Sequence, residues 1–309
     1  MTASAPPRAA SAPPAKRRQP IAPYLLIAPA IGILLVALAY PVGWQFVTSV
    51  HTYGLAQQFG QPPVFVGPAN YARLFTDPAV WSVVLRSLVF CLVNAAITVV
   101  VGVLLALLMK VVPAAPRLIL QIALLLAWAM PVIAAMTVWI WLFDWRRGVI
   151  NWLLTSAGFG FTHHNWLAEP LSFYLVATII VVWMSVPFVA FSVYAGLTQI
   201  SEEVIEAAQL DGAGGVGRFI WITVPMIRPV LMIVMLLQII WDLRVFAQIK
   251  MLQDADAPIS STDLLGTYIY RVGVGSSDFG MASALSVFVL ALTIVLSSFY
   301  VRQLIKEDS

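Results

Sequence analysis

Six stretches of this chain are long and apolar enough to cross a lipid bilayer, and no other feature limits its fold so tightly. They run over residues 24–48, 81–109, 118–142, 171–197, 227–249 and 279–302. Crossing about 30 Å of hydrocarbon takes roughly 20 helical residues. In lipid every backbone N–H and C=O has to be satisfied within the protein, which a helix does segment by segment. The sequence therefore predicts an all-α, six-span membrane protein with no sheet inside the bilayer. Composition agrees: of 309 residues 61% are hydrophobic and 10% charged, whereas soluble domains carry about 25% charged residues. The mean hydropathy is +0.91. The single cysteine, Cys91, cannot close an internal disulfide and reads as a packing residue.

Residues 1–20 are rich in Pro, Ala and Ser and carry Arg8, Lys16, Arg17 and Arg18. Such a segment has little to bury and is expected to be a disordered basic tail. The apolar stretch after it is longer than the core of a secretory signal and reads as a retained first span. Residues 21–305 then form one six-span transmembrane domain. Lys and Arg concentrate on the cytoplasmic side of membrane proteins. With the N-terminus inside, that side holds Arg8, Lys16, Arg17, Arg18, Lys110, Arg117, Arg218, Arg228, Arg302 and Lys306. The outside holds Arg73, Arg146, Arg147, Lys250 and Arg271. Ten against five predicts both termini in the cytoplasm, with Arg86 and Arg244 left inside spans.

Between the fourth and fifth spans the apolar pattern is interrupted by a polar segment, 201–229, which this topology places in the cytoplasm. Ser201 is a suitable N-cap, and Glu202 and Glu203 fall in the first turn, where the helix dipole favours anions. Gly212 can adopt the left-handed conformation that ends a helix. The sequence thus predicts a short helix over 201–211 and a turn. A second helix over Phe219–Thr223 is expected to stop at Pro225 and Pro229. Gly212-Ala213-Gly214-Gly215-Val216-Gly217 formally fits G-x-G-x-x-G, but a dinucleotide site needs that pattern between a strand and a helix. No G-x-x-x-x-G-K-[ST] occurs in the chain, so no nucleotide site is expected in it.

Glu206-Ala207-Ala208, Asp211-Gly212-Ala213, Phe219, Ile222, Pro225 and Pro229 resemble the cytoplasmic signature of permease subunits in binding-protein-dependent ABC importers of type I. The resemblance extends over most of residues 20–305. Tyr24–Ala30, Gly67-Pro68-Ala69-Asn70-Tyr71 and Phe279–Ser286 are similar to the carbohydrate-importing branch of maltose and glycerol-phosphate type. It implies that Glu206, Ala207, Ala208, Asp211, Gly212 and Ala213 form the coupling helix seated on an ATPase. It also implies as partners a second permease, two ATPase subunits that bind ATP and magnesium, and an extracellular sugar-binding protein or lipoprotein. The implied setting is a bacterial inner membrane, and the implied cargo is a small carbohydrate, a disaccharide such as trehalose. One departure stands out: Gln253-Asp254-Ala255-Asp256-Ala257-Pro258 replaces the Thr-x-Gly-Gly-Pro turn frequent in that branch.

Polar side chains within spans are costly and usually face the bundle interior or a cavity. Gln238, Asp242 and Val245 are spaced i, i+4, i+7, and Trp241 is expected beside them. At 1.5 Å per residue Asp242 lies about 21 Å up its helix, past the midplane. By resemblance Gln238, Trp241, Asp242 and Val245, with Met184, Ser185 and Phe188 of the fourth span, match positions that contact sugar. Asp242 also fits a structural network with a neighbouring span, for instance through Asn94, which otherwise reads as helix–helix glue. Arg244 reads as structural and, two residues from Asp242, is not expected to pair with it. Pro187 is expected to free the carbonyl of Trp183 and kink the fourth span. Trp128, Trp139, Trp141 and Trp145 fit an interfacial aromatic belt, or else a surface for stacking sugars.

His163-His164 has no nearby cysteine or acidic cluster, and neither a metal site nor a nucleophile–base pair is expected. The net charge of +3 reads as loop asymmetry, not affinity for nucleic acid. Two other functions fit the same spans: a permease for another solute, such as an amino acid or polyamine, and an autonomous secondary transporter. The lack of hydropathy repeats joined by broken helices weighs against the last.

Overall fold

In the computed structural model the described residues are 22–307; the basic tail over 1–20 lies outside them. The chain divides into two units, residues 1–45 and 46–309. The first holds α1 (Ala22–Leu34), a π-helical turn (Leu35–Ala39) and the start of α2 (Tyr40–Ser49). Together these make an apolar stretch, Leu26–Ser49, long enough to span a membrane.

The second unit opens with β1 (His51–Thr52), α3 (Leu55–Gln58), β2 (Val64–Phe65) and α4 (Ala69–Thr76). The two strands pair antiparallel, with His51 opposite Phe65. This small ribbon lies outside the long apolar helices, so the expectation of a helical membrane region is unaffected. Next comes α5 (Pro78–Val111), whose first turn is capped by Asp77 accepting from the Ala79 amide at 2.8 Å.

The third predicted span, 118–142, is not one straight helix. It is α6 (Ala114–Ala129) and α7 (Val132–Leu142), bent by 102° at Met130–Pro131. Proline drives the preceding residue out of the helical region, and Met130 is extended at φ −69°, ψ 128°. Pro187, by contrast, lies inside α9 (Pro170–Thr198), which follows α8 (Val149–Ser156) and runs through it as one helix. The one sharp break within a span among the described residues is therefore in the third.

The remaining elements are α10 (Glu202–Leu210), α11 (Gly215–Arg218), a π-helical turn (Phe219–Thr223), α12 (Val224–Met226) and α13 (Arg228–Leu243). Then come α14 (Ala247–Asp254), α15 (Ile259–Thr262), α16 (Leu265–Tyr270), a third π-helical turn (Arg271–Gly275) and α17 (Phe279–Glu307). The helical run from Gly215 through the π-turn to Met226 ends at Ile227, between Pro225 and Pro229, close to where a stop was expected. Pro225 lies within that run, whereas Pro229 sits in the first turn of α13, where the missing N–H has no helical acceptor to lose.

The core is a seam of α5 on α9, with α13 packed against both. At Gly102 the backbones approach so closely that a Cβ would lie 2.5 Å from Val189 Cγ1. Small residues at such points replace the hydrophobic effect, which does not drive helix association in lipid. Asn94 bridges the seam, donating to the Phe90 carbonyl at 2.7 Å and to Thr178 Oγ1 at 3.4 Å. Cys91 is buried and donates to the Ile239 carbonyl of α13 at 3.4 Å. Both therefore act as packing residues.

Candidate functional site

Two regions carry the residues singled out by sequence. The first is the polar interruption. Ser201 takes the extended N-cap conformation ahead of α10, although its hydroxyl makes no capping bond. Glu202 and Glu203 occupy the first turn, and Gly212 ends the helix at φ +80°. A β-carbon disfavours that conformation. Ile205 packs onto a cluster containing Met109, Val193, Leu197 and Ile227, and Ala208 is buried. Glu206, Ala207, Leu210, Asp211 and Gly212 are exposed, while Ala213 is half-buried. The helix thus hangs from the bundle by one face and offers the other to solvent. The same end of the bundle carries Lys110, which donates to the Leu197 carbonyl, and Arg117, which donates to the Tyr194 hydroxyl, each at 3.3 Å.

The second region lies where α9 meets α13. Here the structure separates residues that sequence spacing grouped together. Gln238 and Asp242 are buried, and Gln238 Nε2 donates to Asp242 Oδ1 at 2.9 Å. Trp241 is 44% exposed, so it does not share their face. Each residue of a helix turns the side chain by about 100°, which separates neighbours 241 and 242. Val245 is buried but lies beyond the end of α13, in the bend before α14. The i+7 relation therefore does not apply to it. Asp242 makes no bond to Asn94, and Asp242 Oδ2, Gln238 Oε1 and Asn94 Oδ1 have no hydrogen-bond partner among the described residues. Arg244 is exposed, as its separation from Asp242 implied.

Trp241 instead meets the fourth span. Its ring lies edge-on to Phe188 with centroids 5.0 Å apart, and Phe188 lies 6.4 Å from Trp128. Met184 and Ser185 are half-buried one turn away on α9, and Met184 Sδ accepts from Gln248 Nε2 at 3.7 Å. Trp128 is 54% exposed. Sequence reading had grouped it with Trp139, Trp141 and Trp145. Trp139 packs against Phe143 and Trp183 instead, and the Trp145 ring carries the Arg146 guanidinium. The signal that sets Trp128 apart is Pro131, which breaks the span just after it. The result is an aromatic row on three helices, exposed at Trp128 and Trp241 and half-buried at Phe188, with a buried amide–carboxylate pair elsewhere on α13.

Where the Thr-x-Gly-Gly-Pro turn is missing, Asp256 adopts φ +91°, a conformation usually left to glycine. The segment is held by a buried polar set. Asp263 accepts from Arg271 Nε at 2.7 Å and from Gln253 Nε2 at 3.1 Å, and Gln253 also donates to Thr262.

Residues 98–303 match the family described as the inner membrane component of binding-protein-dependent transport systems. The chain is 37% identical over 295 residues to the diacetylchitobiose uptake system permease protein DasB of Streptomyces coelicolor, covering 95% of this chain and 90% of that one. It is 30% identical to the trehalose/maltose transport system permease protein MalF of Thermococcus litoralis, covering 90% and 92%. Among solved structures, a chain of the bacterial alginate ABC transporter in complex with alginate pentasaccharide-bound periplasmic protein aligns with a TM-score of 0.77. It is 21% identical and covers 90% of this chain and 92% of that one, a likeness that shows the fold. The chain therefore belongs to the family of multi-pass inner-membrane permease subunits of binding-protein-dependent ABC importers, which perform no bond chemistry themselves.

Proposed function

We propose that this chain conducts a small carbohydrate, a disaccharide such as trehalose, along the aromatic row of Trp128, Phe188 and Trp241. The observation that carries the reading is the pairing of Phe188 and Trp241 across two spans. Ring faces suit the apolar C–H surface of a pyranose, and Ser185 supplies a hydroxyl beside them. Met184 completes the contact surface. Gln238, Asp242 and Val245 stand behind it as a second layer that sets the angle of Trp241. The relatives named for diacetylchitobiose and for trehalose/maltose support a disaccharide cargo.

In this reading the exposed face of α10 seats in an ATPase subunit, with Glu206 offering a charge to a basic residue there. Both termini lie in the cytoplasm, with α10 on the same side. A second permease completes the path, a pair of ATPase subunits binds ATP and magnesium, and an extracellular binding protein delivers the sugar. ATP and sugar then prefer different arrangements of one two-state assembly, which is what coupling requires.

The test is uptake into vesicles carrying the importer purified through a tag on this chain, supplied with ATP and its binding protein. Trehalose, maltose, diacetylchitobiose, an amino acid and a polyamine would be compared. Accumulation of a disaccharide is expected. Accumulation of only the amino acid or the polyamine would refute the carbohydrate reading.

A further inference from the structure

Between α5 and α9 runs a furrow whose lower part is also walled by Ala123, Leu124 and Ala127 of α6. Its upper part, about 370 Å³, is lined by Arg86, Phe90, Val93, Leu171, Tyr174 and Thr178 among others. Its lower part, about 570 Å³, shares Thr178 and continues past Ile97, Leu175 and Ile179 to Trp183. Apart from Thr178 the walls below Tyr174 are apolar, and Val89 and Val93 are 53% and 46% exposed.

The polar groups gather at one end. Arg86 donates through Nε to the Ser82 carbonyl and through Nη1 to the Ser260 carbonyl. A guanidinium has five N–H donors, so most of its capacity is left over. Among the described residues no carboxylate forms an ion pair with it. The Tyr174 hydroxyl is buried and has no hydrogen-bond partner among the described residues. A cation with spare donors and an unsatisfied hydroxyl at the head of an apolar furrow match one kind of ligand, an anionic group carrying a hydrocarbon chain.

The depth also agrees. The 34 residues of α5 extend about 51 Å, so a helix centred on about 30 Å of hydrocarbon projects roughly 10 Å at each end. Arg86 lies eight residues beyond Pro78, or about 12 Å, which is the boundary between headgroups and hydrocarbon. From Arg86 to Ile97 is about 16 Å along the helix, close to half the hydrocarbon thickness.

We propose that this furrow holds one membrane phospholipid, its phosphate at Arg86 and Tyr174 and one acyl chain lying along Val93 towards Ile97. The lipid wedges α5 and α9 at the side and satisfies the Tyr174 hydroxyl. With the termini inside, it belongs to the outer leaflet. The inference rests on the spans and not on the identity of the transported solute.

The test is native mass spectrometry of the importer purified in mild detergent through a tag on this chain. The wild type should retain a phospholipid after washing that removes bulk lipid. Arg86→Gln and Tyr174→Phe should each lower its occupancy, the former about tenfold, as expected for loss of a charge-assisted contact. Val93→Trp, which fills the furrow from its exposed side, should abolish it. Tyr174→Phe and Val93→Trp leave the Ser260 contact intact, so the test survives if Arg86→Gln fails to fold. Absence of bound phospholipid in the wild type, an adduct of free phosphate only, or equal retention in all variants would overturn the proposal. So would disulfide trapping of Val93→Cys to a helix of the second permease, which would put protein where lipid is proposed.

Discussion

The α5–α9 seam and the α10 helix lie at opposite extremes of burial, and the contrast shows how this chain divides its labour. Along the seam Gly102, Asn94 and Cys91 are closed in by neighbours, and an added methyl has nowhere to go. On α10 only Ala208 is buried, and Glu206, Leu210 and Asp211 face outward. A tightly packed interior tolerates little change in volume, so the seam is rigid where Gly102 meets Val189. A helix held by Ile205 and Ala208 can be engaged by a partner without dismantling the bundle.

The sharpest way to break this comparison is at Gly102. Gly102→Leu drives a side chain into Val189 and Ala190, and overpacking of this kind costs about 1–3 kcal/mol or more. The importer is expected to assemble poorly, as seen by size-exclusion chromatography of the tagged complex. Normal yield and melting temperature would mean that the seam is looser than its geometry.

Glu206→Lys should act in the opposite sense. Its side chain is exposed, so the amount and thermal stability of the complex should stay unchanged. Uptake and sugar-stimulated ATP hydrolysis should fall by roughly tenfold or more, the loss expected when a charge pair at a docking surface is reversed. Wild-type ATPase stimulation would remove α10 from the coupling path.

The neighbours Trp241 and Asp242 repeat the comparison within one helix. Trp241→Ala should raise the sugar concentration for half-maximal uptake by about three- to tenfold, the scale of one aromatic contact, with little change in melting temperature. Asp242→Leu leaves the buried Gln238 amide without its acceptor, at a cost of about 1–3 kcal/mol. It should lower the melting temperature more than Trp241→Ala does. The reverse ranking would make Asp242 a direct sugar ligand and Trp241 a structural residue.

The smallest perturbation tests topology. In a Cys91→Ala background, Gln209→Cys should leave transport intact and react with an impermeant maleimide only from the cytoplasmic side. Labelling from outside would invert the assignment.

Much of this was readable along the chain. Apolar runs must lie in lipid whatever their neighbours, so the positions of α5, α9 and α17 follow from length and composition. The α10 helix was equally legible, because a capping residue, first-turn acids and a glycine at φ +80° are local signals. Tertiary context decided the rest. Pro131 and Pro187 look alike in sequence, yet one ends a helix and the other lies within it. Pro225 lies near the end of one helical run and Pro229 begins the next. Spacing placed Trp241 with Gln238 and Asp242 because a face defined by sequence is wide. Only the helices packed around α13 determine which part of that face is enclosed.

Thus the sequence by itself determined that this is a helical membrane protein with a short polar helix set between two of its apolar spans. Those properties depend on the free energy of moving residues between water and lipid, and on hydrogen bonds closed within a few residues. The tertiary structure alone decided that Trp128, Phe188 and Trp241 form one row, exposed at its two tryptophans, and that Gln238 and Asp242 are buried. That division depends on which helices stand side by side, and helices in contact there are separated by more than 50 residues of chain.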